Sequence, residues 1–268
     1  MAETDQAGME HWRRAVRWTG VGVFAVALIG GLIGGLTRGS LPDAASGAQD
    51  GIATTASDTT ASAHSWEDSS KTAALGTAAL LRLSDLPPGW TAGTSAAAPT
   101  RVTPWPSKLA SCLGMSTRLA AVAPVKVNSP DFTSADQLDA VEDSVSVYAS
   151  AAQAHAEYAA LAGGRTTGCM HSVLSPVLQK NMQKDAGSTT TIGVVNFAGL
   201  PAAAAALHLA GFTVTIPIAR GGRVLTVTST QVDFVSGALL HQVTFNGNGT
   251  AFPAQLEEQL LTTAEARH

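Results

Sequence analysis

Seven histidines, two cysteines and one local run of acids are the residues of this chain whose types lend themselves to chemistry. The histidines (His11, His64, His155, His171, His208, His241 and His268) are scattered, and no two stand at metal-ligand spacing. Cys169-Met170-His171 brings a thiolate near an imidazole, but a zinc site wants four ligands and this motif offers two. No metal is expected. Asp136, Asp139, Glu142 and Asp143 cluster in sequence, yet on a strand they alternate faces and read as solvated. General acid–base catalysis needs carboxylates that converge, which such spacing does not provide. The chain has no P-loop, G-x-G-x-x-G, H-E-x-x-H or G-x-S-x-G. Neither an enzyme nor a cofactor is expected. His208 and His241 lie in apolar stretches and read as core or rim histidines.

Composition narrows the class further. The 268 residues are 45% hydrophobic and 13% charged, which excludes a chain disordered throughout. The net charge of −4 leaves no electrostatic footprint for nucleic acid. Residues 77–268 carry eleven Lys and Arg against twelve Asp and Glu, so this part is nearly neutral.

The strongest organising signal is Trp18–Leu36, 19 residues without a charge. As a helix it spans about 28 Å, close to the thickness of a bilayer core. Arg13, Arg14 and Arg17 precede it, and Arg38 follows it. The positive-inside rule makes residues 1–17 a cytoplasmic tail and everything beyond the span extracytoplasmic. A single-pass signal anchor in the plasma membrane is expected. A cleaved signal peptide is the rival, with small residues at Ser46 and Ala48, but the apolar run exceeds the usual h-region. Gly30, Gly31, Gly34 and Gly35 stand one turn apart in pairs, a pattern that permits close packing on another membrane helix.

Residues 40–76 are rich in Ser, Thr, Ala, Asp and Gly without apolar periodicity, and read as a flexible linker. Residues 77–268 read as one extracytoplasmic domain. Both cysteines fall in it, and an oxidising compartment favours a Cys112–Cys169 disulfide.

Periodicity supplies the elements. A short helix is predicted over Thr77–Leu83 with Thr77 as N-cap, and a strand over Leu138–Ala149. Ser150 caps an Ala-rich helix over Ala151–Leu161. A second helix covers Thr167–Lys184, bent or restarted at Pro176, and a strand covers Thr189–Phe197. Phe212, Val214, Ile216 and Ile218 alternate, and Gly221-Gly222 turns that strand into Val224–Thr230. Pro217 inside the first strand marks an edge or a bulge. Leu239–Phe245 forms a third strand, and Pro253 opens a last helix bearing Leu256, Leu260 and Ala264. The mixture lacks a βαβ rhythm, so the expected fold is α+β, an antiparallel sheet with helices packed on one side. The Ala-rich helix either lies close against the sheet or leaves an apolar space lined by Phe212, Val214, Ile216 and Ile218.

The run Leu83-Ser84-Asp85-Leu86-Pro87-Pro88-Gly89-Trp90, the segment from Val145 through the Ala-rich helix to Cys169, and Arg220-Gly-Gly-Arg-Val-Leu-Thr-Val resemble actinobacterial extracytoplasmic sensor-type domains. They are similar to the outer domain of the mycobacterial receptor kinase PknH and related envelope lipoproteins. The resemblance implies a ligand- or partner-binding module of the cell envelope. The chain departs from it in two ways. About seventeen residues precede the span, so no kinase activity is expected. The sensor domain also has two disulfides where this chain can form one, and no ligand-contacting residue carries over.

Two functions remain open. One is a membrane-anchored module that binds a small molecule, a lipid or a wall fragment, with an apolar ligand favoured. The other is an accessory subunit of an envelope transport or secretion complex, docked on a membrane-protein partner through its span and outer domain.

Overall fold

The computed structural model describes residues 70–93, 100–101, 106–120, 124–186, 189–200 and 207–267. The anchor 18–36 with its four glycines, and linker residues 40–69, lie outside them. Among the described residues no helix is long and apolar enough to cross a membrane.

In chain order the elements begin with α1 (residues 70–79), β1 (Thr91–Ala92), β2 (Thr100–Arg101), α2 (Ser107–Leu113) and α3 (Thr117–Ala120). Next come β3 (Val125–Asn128), β4 (Phe132–Thr133), β5 (Asp139–Val147), α4 (Ala151–Leu161) and α5 (Thr166–Ala186). The chain closes with β6 (Thr190–Ile192), β7 (Asn196–Gly199), β8 (Ala210–Arg220), β9 (Arg223–Ser236), β10 (Leu239–Asn248) and α6 (Ala254–Glu265).

The sheet is built on the meander β8-β9-β10. Arg220 pairs with Arg223 across Gly221 and Gly222, whose φ angles of 57° and 76° are those a type I′ turn demands. β10 then pairs with β5 on its other side. β3 and β4 share the far side of β5, and β6 and β7 share the outer side of β8. All pairings are antiparallel. Pro217 sits where β8 changes neighbour from β6 to β7. Its carbonyl accepts the Gly193 N–H at 2.7 Å, and its missing donor falls at the break in the ladder.

Both faces of this sheet are covered. Phe212, Val214, Ile216, Ile218, Leu225 and Val227 meet Leu174 and Leu178 of α5 and Leu161 of α4. On the opposite face Val232, Val243 and Phe245 meet Leu260, Leu261 and Ala264 of α6. Helices on one side alone were expected. The correction follows from β5, β9 and β10, which bury side chains on both faces and need a layer on each.

Other boundaries move as well. The first helix lies over residues 70–79 and begins inside the stretch 40–76 that reads as linker. Ala73 and Ala79 bury themselves against Val127, Val145 and Val147, and a Cβ on Gly76 would stand 2.6 Å from Val127. Small side chains that look like linker composition are what allow this close approach. Thr77 is thus no N-cap; its hydroxyl donates to the Ala73 carbonyl within the helix. α5 runs as one helix through Pro176. The strand expected over Thr189–Phe197 divides into β6 and β7.

Candidate functional site

β9 outruns its neighbour. The first residue of β8, Ala210, pairs with Asp233, so Phe234, Val235 and Ser236 continue past the end of β8. At this corner of the sheet a groove of about 480 Å³ opens between the two helical layers. His155 and Tyr158 of α4 form one wall, and Leu207 and His208 form another. Phe234, Val235 and Ser236 make the floor, and Glu265 at the end of α6 closes the rim.

Local physics places these side chains. Ser150 accepts the Gln153 N–H and starts α4. Ala154, Glu157 and Leu161 then face the sheet, which leaves His155 and Tyr158, three residues apart, on the flank of the helix. The Tyr158 hydroxyl donates to the His208 carbonyl and holds the lip of the groove to α4. His208 takes φ 56°, a left-handed conformation uncommon outside glycine and seen in few non-glycine residues here. Behind the floor, the His241 ring stacks on Phe234 with centroids 4.6 Å apart.

Beneath α4 the sheet face turns from apolar to polar. Lys126, buried on β3, donates to Gln242 Oε1 on β10 at 3.2 Å. The Gln231 amide donates to the Asp233 carboxylate at 2.8 Å, and the Gln242 side chain lies beside it. A lysine and an aspartate are thereby coupled through side-chain amides across the sheet. Burial lowers the Lys126 pKa, although Glu142, Asp233, Glu157 and Asp143 oppose the shift. Burial also lifts Asp233 to about 7 against its hydrogen bonds from Gln231 and Gln242. Glu142 rises to about 7, chiefly by burial and then by the charge of Asp131. Tyr148 is pushed far above the ordinary tyrosine range by burial, with Glu157 beside it. Asp233 reaches the groove as well: after burial, its charge is the second cause raising the Tyr158 phenol.

Of the acids Asp136, Asp139, Glu142 and Asp143, expected to be solvated, Asp136 is exposed and Asp139 half-buried, but the structure corrects the expectation for the other two. Asp143 is fully buried on the α6 face, and Glu142 is largely buried on the opposite one. Flanking elements on both faces of β5 shut out the water that a strand with alternating acids leads one to expect. His241 is in the core and His208 at the rim, as their apolar surroundings suggested.

Cys112 on α2 and Cys169 on α5 are joined, with Cα atoms 5.6 Å apart. The thiolate reading of Cys169-Met170-His171 is therefore excluded. Among the described residues no group of three or more His, Cys, Asp or Glu is arranged to hold a metal. The apolar space envisaged over Phe212, Val214, Ile216 and Ile218 is filled by Met170, Leu174 and Leu178 of α5. The groove lies at the end of the sheet instead. Sequence reasoning missed Lys126, Glu157, Asp233 and Gln242. The signal available was an uninterrupted buried strand in which polar residues stand at every second position, as in Gln242-Val-Thr-Phe-Asn246.

No known protein family matches the chain, and no curated protein does. Among solved structures, the extracellular domain of PknH from Mycobacterium tuberculosis is similar at 9% identity, with a TM-score of 0.35. The match covers 73% of this chain and 95% of that one. The likeness is weak, confined to the fold, and carries no functional information. The sequence resemblance to such domains has no counterpart in a sequence family.

Proposed function

We propose that the chain is a membrane-anchored binding module of the cell envelope, which acts by holding a small ligand in the groove at the end of β9. The groove carries this reading, because it joins an apolar floor to a few fixed polar groups in the way ligand sites do. Its size, about 480 Å³, is that of a small-molecule site. The extracytoplasmic placement is supported by the uncharged run Trp18–Leu36 behind three arginines and by a disulfide between the chain's two cysteines.

The test is extraction of the full-length chain from its own membranes, followed by native mass spectrometry. A small-molecule adduct is expected, and Ser236→Trp, which fills the groove from its floor, should remove it while leaving the disulfide intact. A chain that carries no adduct but brings a multi-span membrane protein with it would overturn this reading in favour of an accessory subunit.

A further inference from the structure

We propose that the groove selects a ligand bearing an ammonium group on a compact apolar body. This deepens the binding-module reading and rests on it. Among the described residues, neither lysine nor arginine lines the groove, and the carboxylate there is Glu265. Glu265 is the last residue of α6, so the negative end of that helix's dipole lies at the same rim. Asp233 and Glu157 lie deeper on the same sheet face, where the buried Lys126 opposes their charge, so the negative character of the rim rests on Glu265 and the helix terminus. The nearest arginine in sequence, Arg267, is committed elsewhere: its guanidinium donates to both oxygens of Asp85, at 2.6 and 2.7 Å, and to the Leu80 carbonyl.

Tyr158 supplies aromatic surface beside this negative rim, and ring faces attract cations that have shed their water. An anion would meet Glu265 and the helix terminus without a compensating charge. A neutral apolar ligand would gain nothing from Glu265 or from the helix terminus at the rim. A cation with an apolar body satisfies both the rim and the floor.

The experiment uses the purified full-length chain at pH 8. Choline, its uncharged isostere 3,3-dimethylbutan-1-ol and the anion 3,3-dimethylbutanoate are titrated in turn. Binding is read from the ring signals of His155 and His208 in NMR spectra. Choline should bind roughly fivefold to tenfold more tightly than the alcohol, and the butanoate should bind most weakly. Glu265→Gln, at an exposed position, should weaken choline binding roughly threefold to fivefold and leave the alcohol unaffected. Equal affinity for choline and the alcohol, with both histidines shifting, would overturn the ammonium preference while the groove stands as a binding site. Absence of any shift at His155 and His208 with all three probes would overturn the groove itself.

Discussion

The carboxylate of Asp143 accepts the backbone N–H of Leu81 at 2.8 Å, joining two residues 62 apart in sequence. This bond fixes the segment that follows α1 to the centre of β5, where both partners are buried. Arg267 holds the same segment from the other side through the Leu80 carbonyl and Asp85. The chain that leads from the linker into the domain is thus clamped by one residue of the sheet and one near the C-terminus.

Acidity should therefore stabilise the domain. Burial raises Asp143 to about 7, against the Leu81 N–H and the charge of Arg267, and Glu142 and Asp233 are raised to about 7 as well. A carboxyl with a folded pKa above its unfolded value gains protons on folding. Its stabilisation is complete below about pH 4 and is lost as the pH rises toward 7. The melting temperature of the full chain should fall between pH 5 and pH 8, by an amount corresponding to a few kcal/mol. Asp143→Asn, which keeps an acceptor for Leu81, should make that dependence shallower. A melting temperature flat across this range would refute the argument.

The disulfide closes a loop of 57 residues between α2 and α5. Its loss should lower stability by about 4 kcal/mol, the scale set by loop-closure entropy. Denaturant titration of the Cys112→Ser, Cys169→Ser double variant measures this directly. A midpoint unchanged by the double substitution would show that packing of α2 on α5 suffices.

Two alanines of α4 distinguish packing from exposure. Ala154 is fully buried against the sheet, whereas Ala159 is exposed. Ala154→Leu should destabilise by about 1–3 kcal/mol through overpacking, and Ala159→Leu should change stability by less than about 0.5 kcal/mol. Thermal melts of both variants check the pair, and equal effects would contradict the placement of α4.

The amide-bridged charges should be energetically coupled. Lys126→Met and Asp233→Leu should each destabilise, because each removes one opposite charge from a buried network whose other members stay desolvated. The double variant should be less destabilised than the sum of the singles by about 1–3 kcal/mol. Additive losses in such a double-mutant cycle would mean that Gln242 transmits no interaction between them.

Local chemistry made the elements legible in the sequence. Phe212, Val214, Ile216 and Ile218 alternate because a half-buried strand has a period of two, and Gly221-Gly222 permits the positive φ angles of a tight hairpin. Ser150 caps α4 through an N–H three residues away, and Pro253 precedes α6. Each of these signals lies within a few residues and needs no partner from afar. The Cys112–Cys169 bond was equally legible, since the chain has two cysteines.

What tertiary structure alone decided was which faces are dry. Polar residues at alternate positions of β10 look the same whether water or α4 covers them, so Gln242 and Asp233 gave no sign of burial. Lys126 reaches Gln242 because β3, β5 and β10 align in one register, a relation between residues 116 apart. Likewise the groove exists because β8 begins three residues short of the end of β9. No single segment carries that difference. It arises when strands of unequal length are set side by side, which is why His155, His208, Phe234 and Glu265 meet only in the folded chain.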